Sequence, residues 1–195
     1  MNHKLGEITD IHSGYLFKKE SKVDHKKGYY AIQPKDLDKA GRIVWPNYQT
    51  PVTNEPQPVH FLKKSDVLFL SKMNPRPVFV EAEPEHSNTI ASSHFFIIRP
   101  TSIEILPAYL FWFLNQHDTK KFIKSVAAGS SILNVKKSDL QELQIPLPSI
   151  EMQKKISELA TLSDRYKELQ NMIVEKTERL VEHVTLKALK KQVRM

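Results

Sequence analysis

The stretch Ile145-Pro146-Leu147-Pro148-Ser149-Ile150-Glu151-Met152-Gln153-Lys154-Lys155-Ile156 divides the chain into two parts with different grammar. Each proline disfavours helix for the residue before it, so Ile145–Pro148 is expected to be extended. Ser149 is a natural N-cap, with Glu151 and Gln153 available to the first turn that follows. From residue 150 to 195 there is neither glycine nor proline, and Glu, Lys, Leu and Gln dominate. That predicts one helix of about 45 residues, reaching roughly 65 Å at 1.5 Å per residue. Lys187, Lys190, Lys191 and Arg194 lie at its far end, where positive charge complements the helix dipole.

The apolar residues of this segment indicate what it packs against. Leu159, Leu162, Tyr166, Leu169 and Ile173 follow alternating steps of three and four, and Thr177, Leu180 and Val184 continue the stripe after one shift of register. This is the seam of a coiled coil, flanked by charged residues such as Arg165, Glu168, Glu175 and Arg179. A helix lying on its own domain would show a similar stripe, but the length favours a partner helix.

Residues 1–149 hold all five glycines and all twelve prolines, and short apolar runs alternate there with turn signals. Strands are expected over Lys4–Ile11, Gly28–Ile32, Val67–Leu70, Val78–Val80 and Ser93–Ile98. Pro107–Asn115 and Thr119–Ala127 read as short helices. The fold class is therefore α+β: a globular domain over residues 1–148 and a long coiled-coil-forming helix over 149–195.

Composition bounds the chemistry. With 40% hydrophobic and 26% charged residues, the 195-residue chain forms a core without staples. It has no cysteine, which excludes disulfides and cysteine-based zinc sites and fits a cytoplasmic location. The longest apolar runs, Tyr109–Leu114 and Phe95–Ile98, are far shorter than the roughly 20 residues that span a bilayer, so a soluble chain is expected. The eight histidines are scattered, with no pair four apart on a helix, and no metal is expected.

Catalytic signatures are missing. No G-x-G loop or Walker A sequence occurs, and Asn74-Pro75-Arg76-Pro77 shares only its first two letters with a methyltransferase base pocket. Glu81, Glu83 and Glu85 surround Pro84 in a polar stretch that reads as a solvated turn rather than a nuclease metal site. A net charge of +7 instead suits a polyanionic partner. Lys18, Lys19, Lys22, Lys26 and Lys27 crowd one polar loop, and Lys120, Lys121 and Lys124 lie on the second short helix. Ser130, Ser131, Asn134 and Lys136 form another polar stretch. Small hydroxyls, amides and lysines together suit phosphate contact, and these residues are the candidate nucleic-acid-binding set, with a solvated basic surface as the alternative that the residues alone leave open.

Three stretches resemble the specificity subunits of type I restriction-modification systems. Lys4-Leu5-Gly6-Glu7-Ile8-Thr9-Asp10-Ile11-His12-Ser13-Gly14 is similar to the family's opening phrase. Leu62-Lys63-Lys64-Ser65-Asp66-Val67-Leu68-Phe69 is similar to its L-x-x-G-D-I-L phrase, with Ser65 where glycine is usual. Gly129–Val135, Leu140 and the junction Ile145–Ile156 resemble its I-P-[LIV]-P-P-x-x-E-Q-x-x-I passage, with Ser149 in place of the second proline and Met152 between the Glu and the Gln. The resemblance implies a target recognition domain that reads one half of a split site in double-stranded DNA. It further implies a helix that pairs antiparallel with a second one. Methyltransferase subunits would dock on this scaffold, and a separate motor subunit would drive restriction. S-adenosylmethionine, ATP and Mg²⁺ would belong to those partners, leaving this chain without a cofactor or a catalytic residue. A complete subunit of that family has two recognition domains and two helices, so a single set implies a half-subunit that forms a homodimer, or a fragment. The alternatives are a DNA-cleaving enzyme, which would require Mg²⁺ ligands, and a helical adaptor that binds no DNA.

Overall fold

The structure is a computed structural model that describes residues 2–17, 28–38, 41–52, 54–72, 74–80, 84, 86–127 and 133–192. The chain opens with strand β1 (Asn2–Lys4), makes one helical turn α1 (Leu5–Ile8) and continues as β2 (Thr9–Ser13). Next come β3 (Gly28–Ile32), the short β4 (Thr50–Pro51), β5 (Val67–Leu70), β6 (Arg76–Phe79), β7 (Thr89–Ala91) and β8 (Phe95–Pro100). Helices α2 (Pro107–Leu114), α3 (His117–Ala127) and α4 (Lys137–Gln141) precede β9 (Gln144–Pro146) and the final helix α5 (Ile150–Gln192).

The main sheet is antiparallel, in the order β2-β8-β5-β6. All four residues of the central β5 are buried, which is why the run Val67–Leu70 is apolar throughout rather than alternating. Val67 stands opposite Ile98 on one side and Phe79 on the other. A second sheet joins β3 antiparallel to β4 and parallel to β7. One core gathers Ile32, Leu68, Val78, Phe95 and Ile97, and another gathers Tyr15, Tyr29, Ala31, Val52 and Ile90. Helix α2 packs on β5 and β6, with Phe111 stacked on Phe79 at 5.5 Å between ring centroids.

The expected opening strand over Lys4–Ile11 is not continuous. Leu5, Ile8 and Ile11 are all buried and recur every three residues, a spacing that alternation in a strand cannot place on one face. Helical turn α1 resolves the conflict. The Glu7 carboxylate accepts the Lys4 N–H at 3.0 Å, and the Thr9 hydroxyl donates to the Leu5 carbonyl at 2.7 Å. β7 and the β1–β9 pair are additions to the expected strands. Ile145 and Pro146 of the expected extended stretch lie in β9, which pairs antiparallel with β1 and sets His3 opposite Ile145.

The chain separates into two units, Met1–Lys154 and Lys155–Met195. The first turn of α5 groups with the domain that precedes it. Ser149 caps it as expected, its hydroxyl oxygen accepting the Met152 N–H at 3.3 Å. Gln153 is fully buried. Its amide donates to the carbonyls of Glu104 (2.7 Å) and Pro148 (2.9 Å), and its side-chain oxygen accepts the Leu106 N–H at 2.9 Å. A buried amide with these partners ties the start of α5 to the segment leading into α2. Beyond Lys154 the seam residues are exposed: Leu159, Leu162, Tyr166, Leu169, Ile173, Leu180 and Val184 range from 43% to 70%. Exposed ion pairs flank them, Arg165 with Glu168 at 3.4 Å and Lys167 with Asp164 at 3.2 Å.

Candidate nucleic-acid interface

The polar end of the main sheet is assembled by three local devices. The β5–β6 hairpin carries Lys72, Asn74 and Arg76 in and beside its turn. An antiparallel bridge sets Lys72 opposite Asn134, and the Val135 N–H donates to the Ser71 carbonyl at 2.9 Å. Val135 is buried while Asn134 and Lys136 on either side are exposed, as alternation in an extended segment requires. Ser71 in turn donates from its N–H (2.9 Å) and its hydroxyl (3.0 Å) to the His94 carbonyl. The Lys136 N–H donates to the Asp139 carboxylate at 2.9 Å, which caps α4.

Helix α3 packs on α4 and buries Thr119, Ile123 and Ala127 at four-residue spacing. Lys120, Lys121 and Lys124 consequently face away from that stripe and are exposed. Of the expected DNA-binding residues, the structure thus sets Asn134 opposite Lys72, leaves Lys136 exposed two residues further on, and leaves the α3 lysines solvent-accessible. Lys18, Lys19, Lys22, Lys26, Lys27, Ser130 and Ser131 lie outside the described residues. Lys72 and Arg76 were not among the expected residues. Their signal in the sequence is the turn Ser71-Lys72-Met73-Asn74-Pro75 between two apolar runs, which places a cation and an amide at a hairpin tip.

Two further features distinguish structural from available polar groups. Asp66, only 3% exposed, accepts Arg99 Nε on Oδ1 at 2.8 Å and Arg99 Nη2 on Oδ2 at 2.9 Å. Arg99 also donates to the carbonyls of Val59 and Phe61. The Lys35 ammonium, by contrast, sits 5.0 Å from the centre of the Tyr48 ring, with both residues exposed. Burial, reinforced by the nearby His12, lowers the pKa of His60 below the ordinary histidine value. Among the described residues, no group of three His, Asp or Glu could hold a metal ion, and no helix is long and apolar enough to cross a membrane.

Comparison with known proteins agrees with this plan. Residues 1–179 match the model of the type I restriction modification DNA specificity domain. The specificity subunit of the type I restriction enzyme HindI from Haemophilus influenzae is 27% identical over 125 residues, covering 62% of this chain and 27% of that protein. A chain from a structural study of complex assembly and conformational transition of the type I R-M system is similar in fold, with a TM-score of 0.62 and 20% identity. The match covers 90% of this chain and 41% of that one. The HsdS subunit from Thermoanaerobacter tengcongensis gives a TM-score of 0.58 at 18% identity, over 88% of this chain and 39% of the other. The S subunit from M. genitalium gives 0.55 at 15% identity, over 85% and 39%. The chain therefore spans about a quarter of the length of its curated relative and about two-fifths of these structures. The α+β domain, the long final helix and a family match over nearly the whole sequence establish that the chain belongs to the type I restriction modification DNA specificity domain family.

Proposed function

We propose that the chain recognises one half of a bipartite site in double-stranded DNA and acts as a non-catalytic specificity component for methyltransferase subunits. The observation that carries this reading is the combination, in one family member, of an α+β domain with a helix whose apolar seam is exposed. A coiled-coil seam in water is stabilised by a second helix. Two copies of the chain, paired antiparallel about a two-fold axis, would set two identical domains on a palindromic split site and fix the spacing between its halves. The relatives are more than twice as long as the matched part of this chain, room enough for a second domain and helix. The net charge of +7 and the exposed lysines of α3 supply the sequence-independent part of DNA affinity.

On this reading the chain binds no cofactor. S-adenosylmethionine serves the methyltransferase, and ATP and Mg²⁺ serve the motor subunit, all in the cytoplasm. Methylome sequencing of cells with and without the chain, alongside its cognate methyltransferase, tests the assignment. The expected result is a bipartite methylated motif that disappears with the chain. An unchanged methylome with the methyltransferase present would overturn it.

A further inference from the structure

We infer that α5 meets a second copy of the chain in one fixed antiparallel register whose two-fold axis lies level with Ile173, an inference that rests on the pairing proposed above. The steps between seam residues carry it. From Ile173 towards the N-terminus the seam runs through Leu169, Tyr166, Leu162 and Leu159, in steps of four, three, four and three. Towards the C-terminus it runs through Thr177, Leu180, Val184 and Lys187, in the same four steps. The one shift of register therefore falls at the midpoint of the seam. Two parallel helices meet residue against identical residue, so a shift anywhere along them is matched. Two antiparallel helices keep every layer level only when the shift sits on the axis that relates them.

In this register Ile173 faces its own copy, and Leu169, Tyr166 and Leu162 face Thr177, Leu180 and Val184 of the second copy. Leu159 falls opposite Lys187, whose aliphatic stem can cover it while the ammonium reaches water. All of these residues are exposed in the single chain, Ile173 at 64%. Thr177 needs no partner from across the seam, because its hydroxyl donates to the Ile173 carbonyl at 2.8 Å. Charge favours the same register over its nearest rival, whose axis falls midway between Leu169 and Ile173. Arg165, Lys176 and His183 each stand one residue before a seam position and so share one flank, and flanking charges decide helix orientation. The rival brings Arg165 within one residue of the level of Lys176 of the second copy, two cations side by side. An axis at Ile173 displaces that lysine by five residues, about 7.5 Å along the helix. It also fixes the rod between the two domains at roughly 72 Å, twice the rise from Ser149 to Ile173.

The chain has no cysteine, so introduced thiols report the register without background. The test is disulfide formation in a glutathione redox buffer by full-length single-cysteine variants, read on non-reducing gels. Ile173→Cys should link to itself. Leu162→Cys and Val184→Cys should each stay unlinked alone and link once mixed and allowed to exchange. That reaction should be about tenfold faster than Leu162→Cys mixed with Leu180→Cys, whose thiols stand about 6 Å apart along the axis. Faster linking of Leu162→Cys to Leu180→Cys would overturn the axis at Ile173 while leaving antiparallel pairing intact. Leu162→Cys linking to itself would overturn the register and the antiparallel arrangement together. No link in any combination would overturn the register, and a monomeric wild type beside it would overturn the pairing on which it rests.

Discussion

Asp66 and Arg99 form a two-bonded ion pair that fastens β8 to the turn entering β5, with Asp66 Oδ2 also accepting the Lys63 N–H at 2.9 Å. Asp66 is almost inaccessible to water, so removing the carboxylate leaves a half-buried guanidinium without its anion. Asp66→Ala should therefore cost about 3 kcal/mol, read from urea unfolding, and more than the double variant Asp66→Ala/Arg99→Met relative to Arg99→Met alone. A loss indistinguishable from that of an exposed carboxylate would show that the pair contributes little.

Gly14 leaves no room for a side chain. A Cβ there would lie 2.2 Å from the Ser92 carbonyl oxygen and 2.7 Å from that of Ala91, both backbone atoms. Its own N–H donates to the Phe95 carbonyl at 2.9 Å, so the segment cannot move away without losing the bond. Gly14→Ala should destabilise the protein by about 3 kcal/mol in chemical denaturation. A near-neutral result would mean that the crossing of β2 over the Ala91–Ser92 segment is loose.

Ser65 is the opposite case. It occupies the third position of the Lys63–Asp66 turn, closed by the Asp66 N–H to the Lys63 carbonyl at 3.1 Å, with φ +71°. Positive φ at that position is where glycine is preferred. Ser65→Gly should raise stability by about 0.5–1 kcal/mol, visible as a higher melting temperature. A lower one would indicate that the serine hydroxyl makes a contact that outweighs the strain.

His60 makes stability depend on pH. Its Nδ1 accepts the Gln57 N–H at 3.0 Å, and burial, with His12 nearby, holds its pKa below the ordinary value. Below about pH 6.5 the unfolded chain takes up a proton that the folded form resists, so stability falls as pH falls through the folded pKa. Melting temperature should drop more for the wild type than for His60→Gln between pH 7.5 and 5 on this account. Parallel curves would assign the acid sensitivity to other groups.

How much of this was legible in the sequence depended on whether local residues or distant ones decided the outcome. The junction was legible because Pro146, Pro148 and Ser149 act on their immediate neighbours, and the Ser149 cap is where it was expected. Val67–Leu70 was legible because a central strand is apolar on both faces. The turn α1 was not legible from the apolar content of Lys4–Ile11, which favours a strand; only the three-residue spacing of Leu5, Ile8 and Ile11 points to it. β7 was missed because Thr89–Ala91 is three residues long and draws its definition from the distant β3. At the candidate interface, the exposure of the α3 lysines could be read from helical spacing alone. Lys72 could not be associated with Asn134, since the bridge joins residues 62 positions apart. The structural part of Gln153 was foreshadowed only by the family-like junction, and its partners at Glu104 and Leu106 depend on tertiary packing.

The claim on which the functional reading turns is that the α5 seam meets a second copy of itself. Sedimentation equilibrium of the full-length chain beside its Leu169→Glu/Ile173→Glu variant tests it most directly. The account predicts a dimer for the wild type at tens of micromolar, and a folded monomer with an intact far-ultraviolet and thermal signature of the α+β domain for the variant. A wild-type chain that stays strictly monomeric over that range would contradict it.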